Sequence, residues 1–177
     1  MPLALRPMTD ADVALLHAWL QRPHVRQWWG EEDAGITLAQ AAERYAPGVQ
    51  AADGVTPYIV CHEGSPIGYA QSYIALGSGD GWWADETDPG VRGIDQFIGE
   101  AALLGRGLGT RMVMALVARL FDDPAVTRIQ TDPDPANHRA IRCYEKAGFR
   151  RVREIVTPDG PALYMLCERP APAPSTS

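Results

Sequence analysis

At 177 residues, the chain is long enough for one well-buried domain and too short for two. Its composition, 46% hydrophobic and 21% charged, is ordinary for a globular protein, and no apolar run approaches membrane-spanning length. The net charge is −6, and residues 1–105, with 5 Arg against 14 Asp and Glu, form an acidic segment that suits a cationic ligand and argues against nucleic acid as a partner. We expect neither a nucleic-acid nor a membrane ligand.

The beginning of the chain predicts a helix followed by an aromatic loop. Thr9 can cap this helix with Asp12 as its capping-box partner, and Pro23 closes it. Trp28 and Trp29 then fall in a loop beside an acidic run. Two adjacent tryptophans cannot both face one core from a regular element, so we expect at least one of them to line a cleft.

A second helix and a hairpin follow. The helix begins at Thr37, with Gln40 as its box partner, and it stops before Pro47. Residues 56–62 and 67–76 predict two strands, and the intervening sequence EGSP predicts the turn that joins them.

The second strand of this hairpin leads into a long loop. Tyr69, Gln71 and Tyr73 place aromatic and hydrogen-bonding groups on one face of the strand, with small and apolar residues on the other. The loop, residues 77–93, has no periodicity and carries a tryptophan pair among glycines and acids. Loops of this length are usually functional or disordered, and we favour function because disordered loops rarely carry a tryptophan pair.

A glycine-rich turn precedes a long amphipathic helix. A strand predicted at residues 94–98 is followed by glycines at 105, 107 and 109, with Arg106 among them. One helical face is then formed by Leu108, Met112, Leu116 and Leu120. Free N–H groups at a helix N-terminus bind anions, so this basic segment predicts a phosphate site. The turn lacks the lysine of a P-loop and the third glycine of a dinucleotide fingerprint.

The remainder predicts a strand at 128–131, a helix and two closing strands. Asn137 is a natural cap for the helix, and Gly148 ends it in the left-handed conformation. The closing strands are predicted at 152–156 and 162–167.

The cysteines and the tail indicate the compartment and the domain organisation. Cys61, Cys143 and Cys167 are odd in number and lack C-x-x-C spacing, which argues against a disulfide framework or a zinc site. We therefore expect a cytoplasmic protein that binds no metal. Residues 1–169 are predicted to form a single domain, and residues 170–177, rich in Pro, Ala and Ser, a disordered tail.

Two motifs resemble those of the GNAT acetyltransferases. The G-x-G-x-G run at 105–109 resembles the loop that cradles the pyrophosphate of acetyl-coenzyme A (acetyl-CoA) in that family, and NHRAIRCYEKAGF at 137–149 resembles its second signature, N-x-x-A-x-x-x-Y-x-x-x-G-F. Loop sequences such as ETDPGVRGIDQ and TPDGPA are similar to those of the aminoglycoside 6′-N-acetyltransferases, a similarity that extends to about Cys167. The resemblance implies an α/β GNAT acyltransferase fold, with a mixed central sheet flanked by helices and a splayed central strand.

The same resemblance implies a reaction. It is the transfer of an acetyl group from acetyl-CoA to the 6′-amino group of aminoglycoside antibiotics, by direct attack in a ternary complex, which gives antibiotic resistance. Asp95 would hold the amine, and a carboxylate inside an otherwise apolar strand needs such a partner. Tyr144 would face the coenzyme sulfur and hydrogen-bond the departing thiolate, but it would transfer its proton fully only if its pKa were lowered.

The predicted site residues follow from the resemblance. The acetyl-CoA site would comprise Gln96, Ile98, Arg106, Gly107, Leu108, Gly109, Thr110, Asn137 and Tyr144. The aminoglycoside site would comprise Trp29, Gln71, Tyr73, Asp80, Trp82, Trp83, Asp95, Asp132 and Asp159. Carboxylates suit a polycationic aminosugar, and tryptophans stack on sugar faces or amino groups.

Two alternatives remain open at this point. One is a GNAT enzyme that acts on a protein N-terminus, a lysine or a siderophore amine, which the acidic tryptophan-rich loops disfavour. The other is a non-catalytic acyl-CoA-binding or aminoglycoside-binding protein, which the presence of both Asp95 and Tyr144 disfavours. For any of these we expect a monomer or a weak homodimer.

Overall fold

Seven strands and six α-helices lie within residues 3–79 and 81–170, the part of the chain that the computed structural model describes. The strands are β1 (Leu3–Pro7), β2 (Val55–His62), β3 (Ser65–Ile74), β4 (Val91–Ile98), β5 (Arg128–Thr131), β6 (Arg150–Thr157) and β7 (Gly160–Glu168). The helices are α1 (Val13–Leu20), α2 (Pro23–Trp29), α3 (Leu38–Tyr45), α4 (Pro47–Ala52), α5 (Leu108–Phe121) and α6 (His138–Lys146). The predicted disordered tail lies outside the described residues except for Pro170.

All seven strands form one sheet in the order β1-β2-β3-β4-β5-β7-β6. Neighbouring strands run antiparallel except β4 and β5, which run parallel. Helices α1 and α3 pack on one face in a core that contains Trp19 and Tyr69, and helices α5 and α6 pack in the other core, which contains Leu116 and Tyr144. The predicted mixed sheet flanked by helices is therefore confirmed.

The predicted capping residues start the helices as expected. The Asp12 carboxylate accepts a hydrogen bond from the Thr9 backbone N–H at 2.9 Å, before α1. The Thr37 backbone N–H donates to the Gln40 side chain at 2.8 Å, at the start of α3. Asn137 caps α6 by accepting a hydrogen bond from the N–H three residues later, at 3.1 Å. Each cap satisfies an N–H that a helix N-terminus leaves unpaired.

Some boundaries differ from the predictions because of proline and turn geometry. Pro23 does not close a helix before a loop: it is the first residue of α2, and the helix contains both Trp28 and Trp29. Proline suits this position because the N–H that it lacks would have no partner in the first turn. The hairpin turn is shorter than predicted, since Glu63 and Gly64, with φ of 52° and 79°, form it alone.

Besides α2, two short elements were not predicted. β1 has five residues, and it is a strand because it pairs with β2, which its own sequence pattern does not reveal. α4 has six residues and begins at Pro47, directly after α3. Among the described helices, none is long and apolar enough to cross a membrane.

Candidate functional site

β4 and β5 separate after three residue pairs, which opens the middle of the sheet. Residues Val91, Arg92 and Gly93 of β4 pair with β5. The rest of β4, residues 94–98, still pairs with β3. On the edge that faces β5, these residues pair with no strand of the described chain. The predicted splay of the central strand is therefore present, and it begins at residue 94.

The backbone groups of alternate β4 residues face this opening. The Gly99 N–H donates to β3 at 2.8 Å, so odd positions of β4 face β3, and the backbone groups of Ile94, Gln96 and Ile98 face the opening. The His24 side chain of α2 lies 3.0 Å from the Ile98 carbonyl oxygen, a contact that the sequence did not indicate. Backbone N–H groups placed in this way can donate to a thioester oxygen.

The opening continues into a cleft of about 1170 Å³. The predicted residues that line it are Trp29, Gln71, Tyr73, Trp82, Trp83, Asp95, Gln96, Ile98, Gly107, Gly109, Thr110, Asp132, Asn137, Tyr144 and Asp159. Two predicted residues do not line it: Arg106 is exposed, and the Leu108 side chain is buried in the core. Asp80 lies outside the described residues.

Asp95 and Tyr144 approach the opening from opposite faces of the sheet. Asp95 is in register with Gln71 of β3, and it shares a face with Phe97, which packs against α1 and α2. Gln96, the residue between them, reaches the other face and contacts Tyr144 on α6. The cleft thus joins a carboxylate on one face to a phenol on the other.

Two carboxylates of the cleft, Asp95 and Asp132, have raised pKa values. Asp95 accepts a hydrogen bond from Gln71 Nε2 at 2.9 Å. Burial raises the pKa of Asp95, with a smaller contribution from the negative charge of Asp159, whereas the Gln71 hydrogen bond opposes the increase. Burial also raises the pKa of Asp132, and the charges of Asp95 and Asp159 add to this. A bound cation would offset this repulsion, so the cleft suits a polycationic ligand.

Tyr144 is held as a neutral hydrogen-bond donor. Its hydroxyl oxygen accepts a hydrogen bond from Gln96 Nε2 at 2.6 Å, and the hydroxyl is also hydrogen-bonded to the Thr131 side chain. Burial raises its pKa above the ordinary value, more than neighbouring hydrogen bonds lower it. The lowered pKa that full proton transfer would require is therefore absent, and the geometry favours hydrogen bonding to a departing thiolate.

The glycine turn exposes the N-terminus of α5 to the cleft. Gly107 precedes the first residue of α5 with φ of 75°, a left-handed conformation that favours glycine. Across the cleft, α6 contributes Arg139, Arg142 and Lys146, whose spacing places them near one another on the helix. Sequence reasoning did not single out these three cations, although their i, i+3 and i+7 spacing was visible. Helix N–H groups and cations together suit a polyphosphate.

Two of the four tryptophans that line the cleft, Trp29 and Trp83, donate their indole N–H groups to tyrosine hydroxyls. Trp29 Nε1 donates to the Tyr45 hydroxyl at 2.9 Å, and Trp83 Nε1 donates to the Tyr73 hydroxyl at 3.1 Å. The loop that carries Trp83 is anchored to β5, because Glu86 receives two hydrogen bonds from Arg128, at 2.8 and 2.9 Å. The described part of this loop is therefore held against the sheet at Glu86, with the rings of Trp82 and Trp83 at the cleft.

A buried carboxylate near α3 was missed by sequence reasoning. Asp33 is only 4% exposed and lines the cleft. It accepts a hydrogen bond from the Tyr45 hydroxyl at 2.6 Å and lies 3.2 Å from the Arg44 guanidinium. Burial raises its pKa. The acidic run beside the tryptophan pair was a signal, but the sequence did not reveal which of its residues is buried.

The structure also shows the state of the thiols and of the other potential metal ligands. Cys61, Cys143 and Cys167 are free. Within the described ranges, no group of three or more His, Cys, Asp and Glu side chains could hold a metal ion.

Comparison with known proteins gives consistent matches. Residues 8–157 match the acetyltransferase (GNAT) domain. The chain is 62% identical over 169 residues to the aminoglycoside N(6′)-acetyltransferase type 1 of Klebsiella pneumoniae, a match that covers 96% of this chain and 84% of that protein. It is 31% identical over 179 residues to the lysine N-acyltransferase MbtK of Mycobacterium sp. (strain MCS), covering 99% and 71% of the two chains. Among solved structures, AAC(6′)-Ib in complex with ribostamycin and coenzyme A superposes with a TM-score of 0.93 at 61% identity, covering 96% of this chain and 94% of that one.

Proposed function

This chain belongs to the GNAT acetyltransferase family, and we propose that it transfers the acetyl group of acetyl-CoA to the 6′-amino group of an aminoglycoside, which would give resistance to that antibiotic. The observation that supports this most directly is the cleft, in which Asp95 and Tyr144 approach one opening from opposite faces of the sheet.

The cofactor half of the proposed site lies on the face of α5 and α6. The N–H groups at the start of α5, next to Gly107 and Gly109, would hold the pyrophosphate. Gln96 and Ile98 would bind the rest of the coenzyme through their backbone groups at the opening. Arg106 would contribute only its positive charge to the electrostatic field around the cofactor, because its side chain does not line the cleft.

The substrate half lies on the face of β3 and α2. Asp95, Asp132 and Asp159 would attract the ammonium groups of the aminoglycoside, and the rings of Trp29 and Trp83 would contact its sugars. Asp80 keeps its predicted role as a substrate contact, but it lies outside the described residues.

The proposed reaction is a direct displacement within the ternary complex. The substrate ammonium first loses one proton to solvent, and the neutral amine nitrogen then forms a bond to the thioester carbonyl carbon. The carbon–sulfur bond breaks and the sulfur leaves with the bonding electron pair. The proton that the nitrogen loses on becoming an amide nitrogen passes to the thiolate, which gives the acetylated aminoglycoside and coenzyme A. Asp95 would orient the amine and favour loss of its proton, while Tyr144 would donate a hydrogen bond to the sulfur. Because both reactants are held at one opening, positioning supplies a large share of the rate.

The two alternatives are less well supported. A lysine acyltransferase is among the relatives, at half the identity of the aminoglycoside acetyltransferase. A non-catalytic binding protein would not need an acidic residue and a buried phenol at the same opening. A panel of aminoglycosides, lysine derivatives and peptides, assayed by thiol release from acetyl-CoA, separates these functions. Thiol release with lysine derivatives and none with aminoglycosides would replace this proposal.

The proposed function also implies a domain organisation, an oligomeric state and a compartment. Residues 1–169 would act as one domain, since a single sheet carries every strand of the described chain. We expect a monomer or a weak homodimer. The three free thiols favour a reducing cytoplasm as the site of action.

We expect the reaction to depend on the amine at position 6′. Aminoglycosides that carry a 6′-hydroxyl in place of the amine should bind, because their other ammonium groups still meet the cleft carboxylates, but they should release thiol slowly or not at all. Calorimetry measures the binding and a thiol assay measures the turnover, with the matching 6′-amino compound as control. Rapid N-acetylation of the hydroxyl compounds would show that another amine is the target.

We expect Tyr144→Phe to lower kcat by about ten- to a hundredfold while leaving aminoglycoside affinity nearly unchanged. The substitution removes only the hydroxyl, which Gln96 contacts on the coenzyme face of the sheet. Steady-state kinetics and calorimetry with kanamycin provide the two values. A weakened aminoglycoside affinity with unchanged kcat would place the hydroxyl at the sugar and contradict the role.

A further inference from the structure

Three hydrogen bonds connect helix α4 to Asp95. Gln50 Nε2 lies 2.9 Å from the Tyr69 hydroxyl oxygen. The Tyr69 hydroxyl lies 2.8 Å from Gln71 Oε1, and Gln71 Nε2 lies 2.9 Å from Asp95 Oδ2. The chain of contacts therefore runs from Gln50, a cleft residue that was not predicted, through β3, to the residue proposed to orient the amine.

Two members of this chain are buried polar groups that the fold alone does not require. Gln50 is 6% exposed and Tyr69 is fully buried. Burying an amide or a hydroxyl is costly unless it is hydrogen-bonded, and here the two residues bond chiefly to each other and to Gln71. The Tyr69 ring packs against Phe97 and Trp29, so its position is set by the aromatic cluster even without the hydroxyl.

Asp95, at the end of this chain of hydrogen bonds, decides which groups donate and which accept. An ionised Asp95 can only accept, so the Gln71 amide must turn its NH₂ group to Asp95 and its oxygen to Tyr69. That oxygen then needs donors, and the Tyr69 hydroxyl supplies one at 2.8 Å, a shorter contact than the 3.1 Å to its other acceptor, Gln50 Oε1. The Gln50 NH₂ group donates to Tyr69 and also lies 3.5 Å from the same Gln71 oxygen. Both polar groups on this side of Gln71 can therefore donate to it.

These donor and acceptor roles matter because the groups around Asp95 disfavour its ionised form. Negative charge on Asp132 and Asp159 repels it, and the phenols of Tyr69, Tyr73 and Tyr144 face it without supplying positive charge. The hydrogen bond from Gln71 to Asp95 is the interaction that lowers the pKa of Asp95. A Gln71 amide turned the other way would present an oxygen to the carboxylate and remove that support.

We propose that Gln50 and Tyr69 are positioning residues for acetyl transfer: together they fix the orientation of the Gln71 amide, which holds Asp95 as an oriented acceptor for the substrate ammonium. Because Gln71 occupies Oδ2, the second carboxylate oxygen, Oδ1, is left for the substrate. The inference rests on the proposed function, since it assigns Asp95 to the aminoglycoside amine.

The test compares Tyr69→Phe, Gln50→Met and Gln50→Glu. Tyr69→Phe keeps the ring and removes the link to Gln71, and Gln50→Met removes the first donor. Gln50→Glu replaces that donor with an acceptor, which draws the Tyr69 hydroxyl proton away from Gln71. The matched control is Tyr58→Phe, which removes the hydroxyl of a buried tyrosine on β2 that does not line the cleft.

Two measurements separate positioning from a structural effect. In the ligand-free protein, carbon-13 NMR titration should show a higher pKa for Asp95 in Tyr69→Phe and in Gln50→Glu. In turnover, both variants should lose about three- to tenfold in kcat/KM for kanamycin near neutral pH, with a shift of the acidic limb of the pH profile to higher pH. Gln50→Met should lose less than Gln50→Glu, and KM for acetyl-CoA should stay unchanged.

The outcomes distinguish this inference from the proposed function. If Asp95 titrates in Tyr69→Phe as it does in wild type and in the Tyr58→Phe control, the positioning role is wrong even though the enzyme acetylates aminoglycosides. If the wild-type protein acetylates no aminoglycoside, the proposed function fails. The NMR titration still decides whether Gln50 and Tyr69 orient the carboxylate, because it requires no turnover.

Discussion

Asp95→Asn is expected to lower kcat/KM for a 6′-amino aminoglycoside by about two to four orders of magnitude. The substitution keeps the shape of the side chain and removes the charge that attracts and orients the cationic nucleophile. Aminoglycoside affinity measured without the cofactor should weaken, whereas acetyl-CoA affinity should not. Steady-state kinetics and calorimetry provide these values, with the exposed Asp122→Asn as the control because Asp122 does not line the cleft.

The same variant should be at least as stable as wild type. The pKa of Asp95 is raised in the folded state, so the stability that this carboxyl contributes is present below its unfolded pKa, about 4, and is lost as the pH rises through its folded value. Asparagine carries no charge, so the variant avoids this loss. Thermal melting should show a Tm above that of wild type at neutral pH, and the difference should shrink at lower pH. A variant that is inactive because it is unfolded, or one that keeps near-native turnover, would contradict the assigned role.

Gly107→Asp is expected to weaken acetyl-CoA binding by about two orders of magnitude or more. A carboxylate next to the pyrophosphate site adds like-charge repulsion of several kcal/mol and competes for the N–H groups at the start of α5. Folding should change little, because an added Cβ at Gly107 meets nothing within 4 Å and aspartate tolerates the left-handed conformation better than most residues.

The matched control for this variant is Gly64→Asp. Gly64 has a φ of 79°, close to the 75° of Gly107, and an added Cβ there also meets nothing within 4 Å. It lies in the turn between β2 and β3 and does not line the cleft. Backbone strain and added charge are therefore similar in the two variants. Equal losses of acetyl-CoA affinity in both, or unchanged affinity in a folded Gly107→Asp, would show that the turn is not the pyrophosphate site.

The local features of the fold could be predicted because their causes are local. Thr37 and Gln40 satisfy each other's backbone groups within one turn, so the start of α3 follows from residues three apart. Gly148, with φ of 99°, follows α6 as its sequence predicts. Most of the site residues that the motif resemblance indicated do line the cleft, because those motifs sit at fixed positions relative to β4, α5 and α6.

Helices and strands were missed where the same local sequence is compatible with two structures. The two predicted helices do end before Pro23 and Pro47, but each proline also begins a further helix that was not predicted, since proline is compatible with the first turn as well as with a stop. β1 was not predicted because five residues carry too short a pattern, and their pairing with β2 decides their conformation.

The sequence by itself determined where the helices are capped, which positions need glycine, and that a basic turn precedes α5. Only the tertiary structure decided that β4 separates from β5 after Gly93, that Asp33 is buried at the cleft, and that Gln50 reaches Asp95 through Tyr69 and Gln71. The physical reason is the range of the interactions. Capping and left-handed turns are set within a few residues, whereas burial and a directed hydrogen-bond chain depend on which distant segments the sheet brings together.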